Sequence, residues 1–238
     1  MKQESVINNK FYQDVFSIWN NNPDYYWDGF WLLLPYLDRC FEGKEHIRVL
    51  DLGCGNGRFF NFLEFCFKDK KFLKVGIDFV DFELVNDFEF LKFDLVSDEF
   101  LVSNLGEFDL ITAFGVYHHI QGFKTRLGLT KKINNLLEDN GLFIFTRWNF
   151  LLLPRLKKKI LSLEKLLFYY PNFDSKNLEI GDYYLLWDKV RTSIRYANFL
   201  DLSEIASMLE NSDLECKYSY TADDRENNRN SYFVNYKK

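Results

Sequence analysis

A chain of 238 residues that is 47% hydrophobic is long enough for one large domain, or a domain with an insertion, and too apolar for general disorder. Its net charge of −5 argues against a protein that clamps long duplexes, while leaving room for a local basic patch. Four cysteines, Cys40, Cys54, Cys66 and Cys216, stand apart with no C-x-x-C pair, which offers no zinc or disulfide framework and suits a reduced compartment.

The opening residues, "MKQESVINNKFYQDV", hold no apolar signal core. The longest apolar runs, such as "FWLLLP", fall well short of the ~20 residues a membrane span needs. The expectation is a cytoplasmic protein with no membrane partner.

The stretch "HIRVLDLGCGNGRFFNFLEF" carries the most information. An apolar run over 47–52 predicts a buried strand. A glycine-rich turn follows, then a helix with Phe59, Phe60, Leu63 and Cys66 or Phe67 at helical spacing. Gly53, Gly55 and Gly57 make G-x-G-x-G, which lets a backbone pass close under a ligand, and the helix N-terminus offers free N–H groups. A dinucleotide fingerprint needs glycine where Arg58 stands, which disfavours NAD. The next strand, "FLKVGIDF", brings Asp78 to a position where an acid accepts from ribose hydroxyls. A third, "FEFLKFD", ends in Asp94, placed to accept from an exocyclic adenine amine. The fourth, "FDLITAFG", leads into "FGVYHHI". An amphipathic helix over about 123–138 follows, with Gly141 as its C-cap, and then a fifth strand, "LFIFTRW". Singly, an aspartate ending a strand is usually a turn or cap residue. The order of all these features on alternating β and α segments is what carries weight.

That order resembles the class I S-adenosylmethionine-dependent methyltransferases, over about 46–148. The resemblance implies an α/β fold, a Rossmann-like doubly wound seven-stranded sheet with an antiparallel last strand and an insertion after strand five. It implies S-adenosylmethionine as cofactor, with Asp51, Gly53, Cys54, Gly55 and Asn56 around its methionine part. It places Asp78 at the ribose, Phe79 beside the adenine, and Asp94 and Leu95 at the adenine edge.

His118 and His119 are adjacent, and adjacent residues diverge by about 180° on a strand or 100° on a helix, so they do not chelate as a pair. No metal is expected. The carboxyl end of the fourth strand faces the ligand crevice of an open α/β sheet, so Phe114, Tyr117 and the histidines are expected to line the cofactor and substrate pocket. A wall role for the histidines is the leading reading, and a base role for one of them stays open.

After strand five comes an insertion, about 149–190. "PRLKKKILSLEKLLFYY" reads as one helix from Pro154, locally basic through Arg155, Lys157, Lys158, Lys159 and Lys165. A solvated face and a phosphate contact are both open. "EIGDYYLLWDKVRTSIRYANF" gives two short strands, "LSEIASMLENS" a helix from Leu202, and "LECKYSYT" and "SYFVNYK" a closing pair. The chain thus reads as one methyltransferase domain over 1–238, with an N-terminal helical segment, 1–45, covering the cofactor.

"GDYYLLW", "RYANF", "LSEI" and "NNRNSYFV", with the aromatic–tryptophan pair Tyr26 and Trp27, resemble the tRNA wobble-uridine methyltransferases, which methyl-esterify a carboxymethyl group. That resemblance implies tRNA as partner and methyl esterification as the activity. It also brings in a small activator protein, which the eukaryotic members need. The alternatives are a small-molecule O- or N-methyltransferase and a non-catalytic cofactor-binding subunit. A carboxylate acceptor, with a pKa near 4, needs no base but needs a cation to hold it; Arg195 is the main candidate and Arg147 the second. A hydroxyl or amine acceptor would instead call on His118 or His119 as base. Trp148, Trp187 and Tyr196 are candidates to stack on a base, with core packing as the other reading.

Overall fold

The computed structural model describes residues 27–80, 87–97, 100, 105–187, 193–223 and 227–238. Strands β1 (His46–Leu52), β2 (Lys71–Asp78), β3 (Glu89–Lys92), β4 (Phe108–Ala113) and β5 (Leu137–Trp148) run parallel. With β8 (Leu214–Ala222) and β9 (Asn230–Lys237) they form a seven-stranded sheet in the order β3-β2-β1-β4-β5-β9-β8. Strand β9 is antiparallel to both neighbours. The expected α/β architecture is therefore present.

Alternation along the strands builds a core on each face. Ile47 and Val49 of β1, with Leu142 and Ile144 of β5, face one side. There they meet Phe30 of α1 (Asp28–Trp31), Leu37 and Phe41 of α2 (Leu34–Phe41), and Phe59, Phe60 and Leu63 of α3 (Arg58–Cys66). Leu50 and Leu52, with Phe143 and Phe145, face the other side. There they meet Leu129 and Ile133 of α4 (Phe123–Leu136) and Ile205, Met208 and Leu209 of α7 (Leu202–Glu210). The helical part of the expected 1–45 segment is visible as α1 and α2; residues 1–26, including Tyr26, lie outside the described residues.

Two details differ from expectation. Gly141 is not a helix C-cap: α4 ends at Leu136, its C-cap Leu137 is already extended, and Gly141 lies inside β5. The basic stretch is not one helix but two, α5 (Pro154–Lys157) and α6 (Leu163–Tyr169). Pro154 does start α5 at a first-turn position. The break arises because the chain at 159–161 lies along the edge of β6 (Asp182–Trp187). Leu161 N–H donates to the Tyr184 carbonyl, and Leu186 N–H to that of Lys159. Ser162 then caps α6 by accepting from Lys165 N–H.

Strand β6 pairs antiparallel with β7 (Ser193–Asn198), with Leu185 opposite Arg195. One face of this hairpin, Tyr184, Ile194 and Tyr196, closes on Leu166 and Phe173. The other, Leu185 and Ala197, closes on Trp148, Phe150, Leu153 and Leu156. Arg195 shares parity with Ala197, so the hairpin carries it towards the end of β5.

Candidate active site

The glycine-rich turn joins β1 to α3, and main-chain bonds tie it to β2. Gly53 N–H and Cys54 N–H both donate to the Ile77 carbonyl, at 2.7 and 3.1 Å. Gly55 N–H donates to Asp78 Oδ2 at 3.0 Å, and Val80 N–H to Asp78 Oδ1 at 3.1 Å. Gly53, Gly55 and Gly57 all have φ between +53° and +72°. At Gly53 an added Cβ would fall 2.5 Å from a Val116 methyl, whereas at Gly55 it would meet nothing within 4 Å. The turn thus opens onto space at Gly55, beside the Asp78 carboxylate.

Asp51, the last polar residue of β1, is buried and accepts from Thr112 Oγ1 of β4 at 2.7 Å. Burial pushes its carboxyl up to about 7, the charge of Asp78 adds to this, and the Thr112 hydroxyl opposes it. Burial also raises Asp78, against the pull of its main-chain donors. Asn56 has a buried Nδ2 with no hydrogen-bond partner among the described residues. Two aspartates, one unused amide donor and an open glycine turn fit a ligand that carries an ammonium and a ribose. Asp51 and Asn56 suit its amino-acid end, and Asp78 its diol.

The remaining cofactor candidates lie nearby with different exposures. Phe79, just past the end of β2, is 37% exposed. Asp94 is exposed, and its Oδ1 accepts from Val96 N–H at 3.2 Å, while half-buried Leu95 leans on the core. Phe114 is half-buried among Trp27, Phe30, Phe59 and Tyr232. Cys54 reaches the crevice through its main chain alone, since its thiol is buried in the core and burial raises its pKa.

The "YHH" residues, Tyr117–His119, form a 3-10 turn at the end of β4. Gly115, with φ +72°, precedes it and donates its N–H to Thr146 Oγ1 at 2.8 Å. The turn divides the three side chains. Tyr117 drops into the core and bonds Thr130, so it is not a substrate contact. His118 and His119 turn towards β7, where Arg195 Nη2 lies 3.0 Å from His118 Nε2 and 2.6 Å from His119 Nε2. The guanidinium carbon sits 4.6 Å from the Trp148 ring centroid. Since a guanidinium only donates, both Nε2 atoms accept, and each imidazole carries its proton on Nδ1. Burial holds both histidines well below their ordinary pKa; the Arg195 charge adds to this for each, and His118 acts on His119 before it. Two neutral imidazoles therefore hold a guanidinium without cancelling its charge. Nitrogens turned on a cation in this way are not disposed to ligate a metal.

Two expected substrate contacts are spent elsewhere, and a third has no face for stacking. Arg147 is buried and donates to Asn149 Oδ1, the Leu200 carbonyl and Ser231 Oγ, so it braces β5 against β9 rather than holding an acceptor. Tyr196 is fully buried and donates to Asp182 Oδ1 at 2.6 Å, leaving no ring face for a base. Trp148 is buried between Arg195, His118 and Phe150, so its faces are covered too. Trp187 is half-buried beneath the Lys159 ammonium, 5.4 Å from its ring centroid. Asp188, which could have paired with Arg195, lies outside the described residues. Thr112 and Thr146 escaped sequence reading, although a lone hydroxyl in an apolar strand such as "FDLITA" is itself a signal that something buried needs a donor.

Comparison with known proteins adds the following. A family model described as a methyltransferase domain matches residues 28–218. Comparison with curated protein sequences gives no match. Among solved structures, a protein of Pyrococcus horikoshii OT3 is 18% identical with a TM-score of 0.65, covering 96% of this chain and 99% of the other. An S-adenosylmethionine-dependent methyltransferase of Clostridium acetobutylicum ATCC 824 is 14% identical with a TM-score of 0.63, covering 96% and 98%. A magnesium protoporphyrin IX methyltransferase of Synechocystis PCC 6803 with bound S-adenosylmethionine is 11% identical with a TM-score of 0.60, covering 100% and 98%.

Proposed function

The chain belongs to the methyltransferase domain family and is an S-adenosylmethionine-dependent enzyme, and we propose that the acceptor it methylates is a carboxylate carried on a modified wobble uridine of tRNA. The observation that carries the carboxylate reading is the single guanidinium nitrogen of Arg195 shared by two neutral imidazoles. The cofactor supplies a methyl group on a sulfonium, ready for displacement. What remains for the protein is to hold a nucleophile in line, and positioning is the larger part of such catalysis.

A carboxylate is ionised at neutral pH and needs no proton removed. Arg195 keeps its charge, and with Nη2 held by the two imidazoles its positive end can still attract and bond a carboxylate. His118 and His119 serve as acceptors that aim the guanidinium. They are poorly placed to act as bases, because their only unprotonated nitrogens are occupied by Arg195 and both resist protonation. A hydroxyl or amine acceptor would need the reverse arrangement.

Two features support tRNA as the carrier. The segment carrying Arg155, Lys157 and Lys158, all exposed, lies along the same hairpin that bears Arg195, through the Lys159–Leu186 main-chain bond. Phosphates near that edge would meet a basic surface on an otherwise acidic protein. The motifs around Tyr184, Trp187, Arg195 and Tyr196 also resemble those of the wobble-uridine enzymes. A free small-molecule carboxylate is the second reading, favoured by the net charge of −5. Nucleoside mass spectrometry of tRNA from a strain lacking the protein tests this. Loss of a methyl-esterified uridine, with its free acid accumulating, is expected; an unchanged nucleoside profile would overturn the tRNA reading.

A further inference from the structure

Two buried N–H groups beside Arg195 have no acceptor among the described residues. His118 is 3% exposed, and its Nε2 accepts from Arg195, so its Nδ1 bears a hydrogen, and that atom is buried without a partner. Trp148 is 6% exposed, and its Nε1, which can only donate, is likewise buried without a partner. The two rings lie 5.2 Å apart, and Arg195 covers the indole at 4.6 Å. A lone buried donor costs stability, and two side by side at the end of the ligand crevice are more than packing requires.

The surroundings of His118 can be located. A Cβ built on Gly115 would find its nearest neighbours at 3.8 Å, Trp27 Cη2, and 4.0 Å, His118 Cε1. Cε1 lies between the two ring nitrogens, so this edge of His118 faces Gly115. Gly115 lies just past the carboxyl end of β4, with Trp27 and His118 both beside it.

We propose that Trp148 Nε1–H and His118 Nδ1–H are specificity donors of the acceptor subsite, which with Arg195 read the two oxygens of a carboxylate. Their chemistry selects against amines. An ammonium would set its own N–H groups against three donors, and an amine nitrogen offers one lone pair where the site offers several hydrogens. The methyl-ester product has lost its charge, so the same donors hold it less firmly than the substrate, which favours release. Trp148 in this role is a donor, not a stacking platform, in keeping with its covered faces. The proposal rests on the reading of the Arg195 cluster as the acceptor site.

The test is NMR of protein labelled with 15N at the indole nitrogens, with S-adenosylhomocysteine filling the cofactor crevice. The probes are phenylacetate and 2-phenylethylamine, which share a ring and differ in the charged group. Trp148→Phe assigns the signal and keeps the ring over which Arg195 lies. Phenylacetate is expected to move the Trp148 N–H signal downfield and saturably, and phenylethylamine to leave it in place. Trp148→Phe and His118→Phe should each weaken phenylacetate binding about tenfold or more, the loss of one hydrogen bond to a charged group. The thermal midpoint of Trp148→Phe should fall only by what the smaller buried ring costs, whereas phenylacetate affinity at saturating folded protein should fall with the lost donor. A shift of equal size with the amine, or none with phenylacetate up to about 50 mM, overturns the proposal, since the site would lack even millimolar attraction for the group. Arg195→Gln separates the two readings. Binding lost there but intact in Trp148→Phe and His118→Phe removes the donor proposal alone, whereas binding intact in all three removes the acceptor-site reading beneath it.

Discussion

Replacing Arg195 with lysine keeps the charge and removes the fork. In the native arrangement Nη2 reaches two imidazole nitrogens, at 3.0 and 2.6 Å, while the guanidinium carbon lies 4.6 Å from the Trp148 ring centre. An ammonium is a point donor with no plane to lie on the indole, and it cannot hold both imidazoles and a carboxylate in the fixed geometry of a guanidinium. The loss is at least one charge-assisted hydrogen bond in the transition state, about 1.5–3 kcal/mol. At about 1.4 kcal/mol per tenfold, kcat/KM should fall about 10- to 150-fold. The loss of the cation–ring contact, about 0.5–2 kcal/mol, should lower stability in parallel. The assay is steady-state transfer of labelled methyl groups to tRNA from a strain lacking the protein, at several pH values between about 6 and 8. Arg195→Lys should be impaired at every pH, while His118→Ala and His119→Ala should be slower without acquiring a new pH dependence, because neither imidazole accepts a proton in the step. A lysine variant with parental rates, beside a histidine variant that loses a rise of rate with pH, would rule out a carboxylate held by Arg195 and point to a deprotonated hydroxyl or amine.

Asp78→Ala should weaken S-adenosylmethionine binding about tenfold or more by calorimetry, through loss of the ribose contacts and of the Gly55 anchor; unchanged affinity would remove the ribose assignment. Asp51 titrates near 7 in the free protein, so an ammonium docking beside it should draw off a proton at pH 6–7. Calorimetry in buffers of different ionisation heat should then show proton release that vanishes above about pH 8, with affinity rising across that window. In the cofactor-free protein the sign is opposite: a carboxyl raised from 3.8 to about 7 holds its proton in the folded state, so its contribution to stability falls as pH rises through that range. Gly29→Ala would place a Cβ 2.3 Å from the Tyr232 ring, which is held through its hydroxyl by Asp223. Overpacking of about 1–3 kcal/mol should lower the thermal midpoint by on the order of 2–12 °C in circular dichroism, and a midpoint like the parent's would show that α1 can shift freely.

The sheet and the glycine-rich turn after β1 were legible because their signals are local. The strand "HIRVLDL", the glycine turn and the Asp78 spacing each fall within a few residues, and periodicity sorts their side chains onto faces. The meeting of His118, His119, Trp148 and Arg195 was legible only as separate candidates. It depends on β7 folding back beside the end of β4, and no local pattern encodes a contact between residues 77 apart in sequence. The roles of Tyr117, Arg147 and Tyr196 were misread for a related reason. Aromatic and cationic side chains look alike in sequence whether they face a ligand or a buried partner. Thr130, Ser231 and Asp182 are what decide their roles here. The helix break at 159–161 was hidden by good helix formers, since the edge of β6 offers that segment a competing set of main-chain bonds.

Carboxylate methylation by this chain is tested most directly by the chemistry of its product. tRNA from a strain lacking the protein would be incubated with the enzyme and methyl-tritiated S-adenosylmethionine, and the recovered RNA treated with mild alkali. An ester releases its methyl group as volatile methanol, whereas methyl groups on ribose, ring nitrogen or ring carbon stay with the nucleoside. The tritium is expected to enter the tRNA and to leave as methanol. Tritium that stays on the RNA after alkali would contradict it.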